Sequence, residues 1–280
     1  MKLLLGRPVA DIILNHLKDE ISLHAEKPAL AVILVGDDPA SHLYVKLKEK
    51  KALEIGMNFF RYDFSFTDSQ ETVLKQIEKI NNDENIHGVI VQLPLPAGFD
   101  TQKIISAIDP KKDVDGFHSV NAEIFLSGSN SIFPVFPSAI MKLIESCGVN
   151  LKEKRGIVIA NSTSFGEIMC EMLKRNGLFS EYILAENIQS QLGKIKDFEV
   201  VISAVGSPGL LSGEMFKSGS IIVDGGIEKV GNVVLGDVDF ASVEALDGFI
   251  TPVPGGVGPV TIACLLQNVY LAFKAQQKEK

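Results

Sequence analysis

Residues 155–177 read RGIVIANSTSFGEIMCEMLKRNG. The opening RGIVIA is a short apolar run and reads as a strand. The closing FGEIMCEMLKRNG reads as a helix, and the polar residues between them make a turn. Strand, tight turn and helix together are the context of a phosphate-binding loop. Where the dinucleotide fingerprint has three glycines, however, this stretch has only Gly166. The fold is decided by whether the neighbouring sequence repeats the alternation.

It does so on both sides. Residues 180–185, 198–206 and 219–226 supply three more strands, and residues 137–147 look helical. An earlier series fills the front of the chain. A helix is expected over residues 8–23 and a buried strand over 29–36, ended by the turn GDDPAS. Ser41 is expected to cap a helix running to Ile55. Strand 57–64, helix 69–82, strand 88–96 (stopped by prolines) and helix 101–108 follow. Alternating strands and helices build parallel sheets covered on both faces. The expected fold is therefore α/β. It has two βα lobes around a cleft, the second a Rossmann-like doubly wound parallel sheet. The C-terminal helix, residues 260–274, packs back on the first lobe. The expected boundaries are 1–135 plus 256–280 for the first lobe and 136–255 for the second.

Composition narrows the function. The chain has 280 residues, 46% of them apolar, and a formal net charge of −8. It has no long basic run, which argues against nucleic acid as a partner. No uninterrupted apolar stretch approaches the roughly 20 residues that span a bilayer, so no membrane association is expected. Cys147, Cys170 and Cys264 lie far apart, which suits a reducing cytoplasm and argues against structural zinc.

Several residues can carry chemistry. Tyr44 and Lys48 are four apart on an expected helix, hence on one face. They can move protons or hold an anion beside a ring; equally, with Lys46, Lys50 and Lys51, they can be a solvated face. Gln92 ends an apolar strand where a parallel sheet delivers residues to a ligand, or it only bonds turn backbone. Asp113 and Asp115 alternate in KKDVDGFH and can bind a heterocycle or simply shape a turn. Two carboxylates and His118 make a weak case for a metal, and none is expected. Finally, TPVPGGVGPVT, residues 251–261, packs three glycines and three prolines in front of an apolar helix.

The segments VGDDPASHLYVKLKEKKALEIGM, GVIVQLPLP, DPKKDVDGFH and TPVPGGVGPVTIACLLQN closely resemble, in order and spacing, the bifunctional methylenetetrahydrofolate dehydrogenase/methenyltetrahydrofolate cyclohydrolase family of the bacterial FolD type. The resemblance implies one-carbon metabolism, serving purine biosynthesis. 5,10-Methylenetetrahydrofolate is oxidised with NADP or NAD, and the methenyl product is hydrolysed to 10-formyltetrahydrofolate. It implies Lys48, Tyr44 and Gln92 as catalytic residues. Asp115, Leu93, Pro254, Gly255, Gly258 and Pro259 would bind folate. Ser162, Gly166, Glu186, Val205, Gly206 and Ile227 would bind the cofactor. It also implies that Gly255, Gly256 and Gly258 let backbone approach a flat ligand, that the prolines stiffen that wall, and that the protein is a homodimer through the dinucleotide lobes.

The second lobe departs from the family pattern. Val135 and Phe136 replace the Cys and Thr of a Pro-Cys-Thr-Pro segment. Ala160 stands for a Gly, Asn161 for an Arg, Phe165 for a Val, Ile168 for a Pro and Gly225 for a Val. LAENIQS replaces a Cys-His-Ser-x-Thr segment. Loss of the Arg removes the cation that usually meets a 2′-phosphate. Glu186, twenty residues after Gly166, stands where an acid holds an NAD ribose. NAD is therefore expected over NADP. Two alternatives remain at this point, a monofunctional cyclohydrolase with a relic dinucleotide lobe and a non-catalytic folate-binding protein.

Overall fold

The computed structural model describes residues 1–129, 132–231 and 233–278. In chain order the elements are β1 (Lys2–Leu3), α1 (Gly6–Ser22), β2 (Ala29–Val35), α2 (Pro39–Glu54), β3 (Asn58–Phe64), α3 (Gln70–Asn81), β4 (Gly88–Val91), α4 (Thr101–Ser106) and α5 (Ser119–Leu126). Then come α6 (Val135–Ser146), β5 (Arg155–Ala160), α7 (Thr163–Arg175), β6 (Phe179–Leu184), β7 (Val200–Ala204) and β8 (Ser220–Asp224). The series closes with β9 (Glu228–Val230), β10 (Val233–Leu235), α8 (Phe240–Val243), β11 (Gly248–Ile250) and α9 (Val257–Lys278). The chain divides into two compact units, the first Asp11–Val135 with Ile262–Lys280, the second Met1–Ala10 with Phe136–Thr261.

The first unit is built on a three-stranded parallel sheet, order β3-β2-β4. All seven residues of β2 are buried, because helices cover both of its faces. Ala31, Ile33, Val35, Val73, Ile77, Ile80 and Val89 form its core on one side. The C-terminal part of α9 belongs to this unit. Its Phe273 is buried and meets His24 and His87 edge-on, at centroid separations of 5.2 and 4.8 Å. Helix α9 is also apolar and long enough, by composition, to cross a membrane, but 67% of that apolar window is buried inside the protein.

The second unit carries a six-stranded parallel sheet, order β1-β11-β8-β7-β5-β6. From β5 the chain moves to β6 on one side, then returns to β7, β8 and β11 on the other. The order of strands thus reverses between β5 and β7, the place where a doubly wound sheet opens a crevice for ligand. Ile157, Ile159, Val201, Ile222 and Ile250 lead its core.

Three expectations change. Residues 1–10 lie with the second unit, not the first, because β1 adds to β11 at the sheet edge and Gly6 N–H donates to Gly255 O at 2.8 Å. The cap of α2 is Asp38, whose carboxylate accepts from Ser41 N–H at 2.8 Å; Ser41 itself is inside the helix, since Pro39 already has the fixed φ of a first-turn residue. Helix α9 starts at Val257 rather than 260, so Gly258 and Pro259 sit in its first turn, where a missing N–H costs no bond.

Candidate active site

In the first unit, three sequence candidates converge. Gln92 follows β4 directly, and its N–H donates to Ile33 O at 2.8 Å, which fixes its backbone to the end of the sheet. Its side chain is held at both ends: Lys48 Nζ donates to Oε1 at 2.8 Å, and Nε2 donates to Leu93 O at 2.7 Å. Lys48 is on the face of α2 that turns to this strand end, and burial lowers its basicity while Asp115 opposes the shift. Tyr44 lies one turn earlier on the same helix, half-buried, with no hydrogen bond to its hydroxyl among the described residues.

The loop bearing Asp115 is rigid by construction. Asp113, buried, accepts from Gly116 N–H at 3.1 Å and from His118 N–H and Asn121 Nδ2 at 2.9 Å each. Gly116 has φ +80°, and a Cβ there would come within 2.9 Å of Pro134 Cα. Asn268 of α9 donates to Val114 O at 2.9 Å and to Phe133 O at 2.8 Å, and Val135 N–H donates to Asp115 O at 3.1 Å. Of the two alternating carboxylates, Asp113 therefore shapes the turn. Asp115 is left half-buried, and no donor among the described residues bonds its carboxylate. Burial pushes its pKa up to about 6, against the pull of Lys48 and with help from Asp113.

The glycine–proline loop lies in the second unit. Gly255 has φ +105°, and a Cβ on Gly256 would reach 2.7 Å from Pro252 O. Both glycines are thus required by the turn itself. Gly258 differs: apart from its chain neighbours and its own helix backbone, no described atom lies within 4 Å of a Cβ built there. Only Gly258 therefore lacks an explanation in the fold.

The same unit carries the cofactor candidates. Ser162 caps α7, accepting from Phe165 N–H at 3.3 Å, and residues 161–164 are exposed. Asn161 Nδ2 donates to Val205 O at 2.6 Å, joining the loops after β5 and β7 where the strand order reverses. A Cβ on Gly166 would press on Tyr182 at 2.6 Å, so this glycine lets α7 lie close on β6. Glu186 is exposed, two residues beyond β6. Gly206 has φ +77°, and Ile227 is 51% exposed.

Two buried carboxylates that shape the loops after β7 and β8 escaped the sequence reading. Buried Asp237 accepts from Ser203 Oγ at 2.6 Å, Val205 N–H at 2.8 Å and Ser207 N–H at 2.6 Å, so it sets the backbone of the loop after β7. Asp224 accepts from Gly226 and Asp237 N–H at 3.0 Å each and from Val238 N–H at 2.9 Å; burial raises its pKa to about 6. Each faces a glycine whose Cβ it would displace, Gly226 for Asp237 and Gly236 for Asp224. Those glycines, flanking acids in VDGG and LGDVDF, were the available signal. An exposed polar turn capped by Ser162 at the point of strand reversal, with an exposed acid beyond β6, fits a dinucleotide.

Two family models match this chain: tetrahydrofolate dehydrogenase/cyclohydrolase, catalytic domain, over residues 4–115, and its NAD(P)-binding domain over residues 134–277. The chain belongs to this family. It is 40% identical to the bifunctional protein FolD of Nautilia profundicola, over 100% of this chain and 99% of that one. The crystal structure of the bifunctional enzyme FolD from Campylobacter jejuni matches with a TM-score of 0.93 at 36% identity, covering 98% of this chain and 99% of that one. FolD of Trypanosoma brucei, complexed with NADP cofactor and inhibitor, matches with a TM-score of 0.93 at 31% identity, covering 99% and 98%. As a bifunctional tetrahydrofolate dehydrogenase/cyclohydrolase, the protein oxidises 5,10-methylenetetrahydrofolate with a nicotinamide dinucleotide and hydrolyses the methenyl product. Both halves of the family pattern are matched, so the lone cyclohydrolase and the non-catalytic binder give way to the bifunctional reading.

Proposed function

We propose that Lys48 performs the proton transfers of the hydrolytic step and that Asp115 anchors the folate's amino-pyrimidine edge. The observation that carries this reading is the 2.8 Å bond from Lys48 to Gln92, next to a carboxylate that no described donor engages. The methenyl carbon is already electrophilic. Hydrolysis therefore requires a placed water and a group to take its proton, with no protein nucleophile. Burial moves Lys48 towards the range where a neutral amine is populated, and Gln92 fixes the direction of its nitrogen. Asp115, near 6, is ionised roughly ten to one at pH 7 and offers lone pairs to adjacent N–H donors. On this reading Tyr44 holds the pterin and benzoyl rings, and Leu93, Pro254, Gly255, Gly258 and Pro259 complete the folate set. Lys48→Met tests it. Methenyltetrahydrofolate hydrolysis should fall about 10²–10⁴-fold, as for loss of a general acid/base, while folate still binds; near-normal turnover would sink the assignment.

For the oxidation, we propose NAD in preference to NADP. A bound dinucleotide supplies the hydride acceptor. Ser162 and the exposed N–H groups opening α7 suit the pyrophosphate, Glu186 suits two free ribose hydroxyls, and Val205, Gly206 and Ile227 border the remaining half. The turn at residues 161–164 carries no cation, and the Asn161 amide is already committed to Val205 O. A cytoplasmic homodimer completes the proposal. Three free cysteines support the compartment, and Phe179, 68% exposed on edge strand β6, supports pairing through the second unit.

A further inference from the structure

Three departures from the family pattern in the second unit are one structural unit. Phe136 opens α6 and Phe165 lies in the first turn of α7; their ring centroids are 5.6 Å apart at 38°. Gly225 follows β8 directly, and a Cβ there would come within 2.8 Å of Phe136 Cζ. Gly225 N–H donates to Ser203 O at 2.8 Å, so its backbone has no room to retreat. A valine at 225 would press on the end of the Phe136 ring, so the residues at 136 and 225 are coupled.

Neither ring belongs to the cluster of Ile157, Ile159, Val201 and Ile222 on one side of the sheet, and both are half-buried. They lie at the carboxyl ends of β5 and β8, where this architecture receives its ligand. The topology also says which part of a ligand arrives. Glu186, beyond β6, stands on one side of the strand reversal, and Gly225, beyond β8, on the other. A dinucleotide with its adenosine ribose at Glu186 and its pyrophosphate at Ser162 extends its other end over β7 and β8. We propose that Phe136 and Phe165 form an aromatic wall against which the nicotinamide ring stacks, and that Gly225 is glycine to admit it. A half-exposed aromatic face and a flat, electron-poor ring are complementary by shape and quadrupole. The inference deepens the dinucleotide reading and rests on it.

The experiment is calorimetric titration of NADH and NADPH into the wild type, Phe165→Val, Phe136→Thr, Gly225→Val and the double variant Phe136→Thr/Gly225→Val, with a melting curve for each. The ring-current displacement of the nicotinamide proton signals is recorded by NMR. Each ring truncation should weaken the preferred dinucleotide about tenfold and move the nicotinamide signals back towards their free positions. Gly225→Val alone should lower the melting temperature, and adding Phe136→Thr should restore the melting temperature but not the affinity. Unchanged or tighter binding after truncation, with any change confined to melting, would overturn the stacking role and leave the dinucleotide reading intact. No binding of either dinucleotide by the wild type would overturn both.

Discussion

Replacing Asp115 with asparagine should make this protein more stable and worse at binding folate. The carboxylate is charged where burial and Asp113 resist charge, so its pKa stands at about 6 instead of 3.8. Ionising it in place therefore costs about two powers of ten, or about 3 kcal/mol, the pull of Lys48 already included. Solvent reaching the half-buried group reduces this to roughly 1–3 kcal/mol. The sign follows from linkage. The folded value lies above the unfolded one, so the penalty is absent below pH 3.8, grows through the window from 3.8 to about 6, and is complete above it. At pH 8 Asp115→Asn should melt a few degrees higher than wild type, and at pH 4 the two should nearly coincide, read by calorimetric scans across that range. Folate affinity should fall by about 1–3 kcal/mol, since the amide loses charge and one acceptor. Identical melting at every pH, or unchanged affinity for a folate analogue, would refute the argument.

Glu186→Ala should weaken NAD binding and narrow its advantage over NADP, measured by parallel titrations; a wild-type preference for NADP would contradict the charge argument. Asp237→Asn should cost about 1.5–3 kcal/mol of stability and weaken dinucleotide binding, because three donors converge on that carboxylate; an unaltered melting curve would remove it as the organiser of its loop. Gly258→Ala should leave stability unchanged or raise it by up to about 1 kcal/mol, as a better helix former in open space. Its folate affinity should fall, and an unaffected affinity would take Gly258 out of the binding set.

The strands that were legible in the sequence are those buried on both faces. β2, β4, β5, β7 and β8 read as continuous apolar runs because nothing on either side is wet. β1 and β11 span two and three residues, too short to show a period, and they become strands only by pairing along an existing edge. Spacing and strand position marked Tyr44, Lys48 and Gln92 as candidates, and the structure joins Lys48 to Gln92, but their roles came from the family resemblance. Spacing alone did not separate Asp113 from Asp115, because an alternating pair says only that the two point apart; the family motif singled out Asp115. Which of them ties the turn depends on Gly116, Asn121 and Asn268, contacts the local pattern does not contain. Asp237 was invisible for the same reason, since its partners precede it by 30 to 34 residues.

Asn268 has one more consequence. Its amide clamps the carbonyls of Val114 and Phe133, on either side of the Asp115 loop, and the first of these lies 154 positions earlier in the chain. The brace is therefore the last part of this arrangement to be synthesised: the Asp115 loop gains these two bonds only once the C-terminal part of α9 has docked on the first unit.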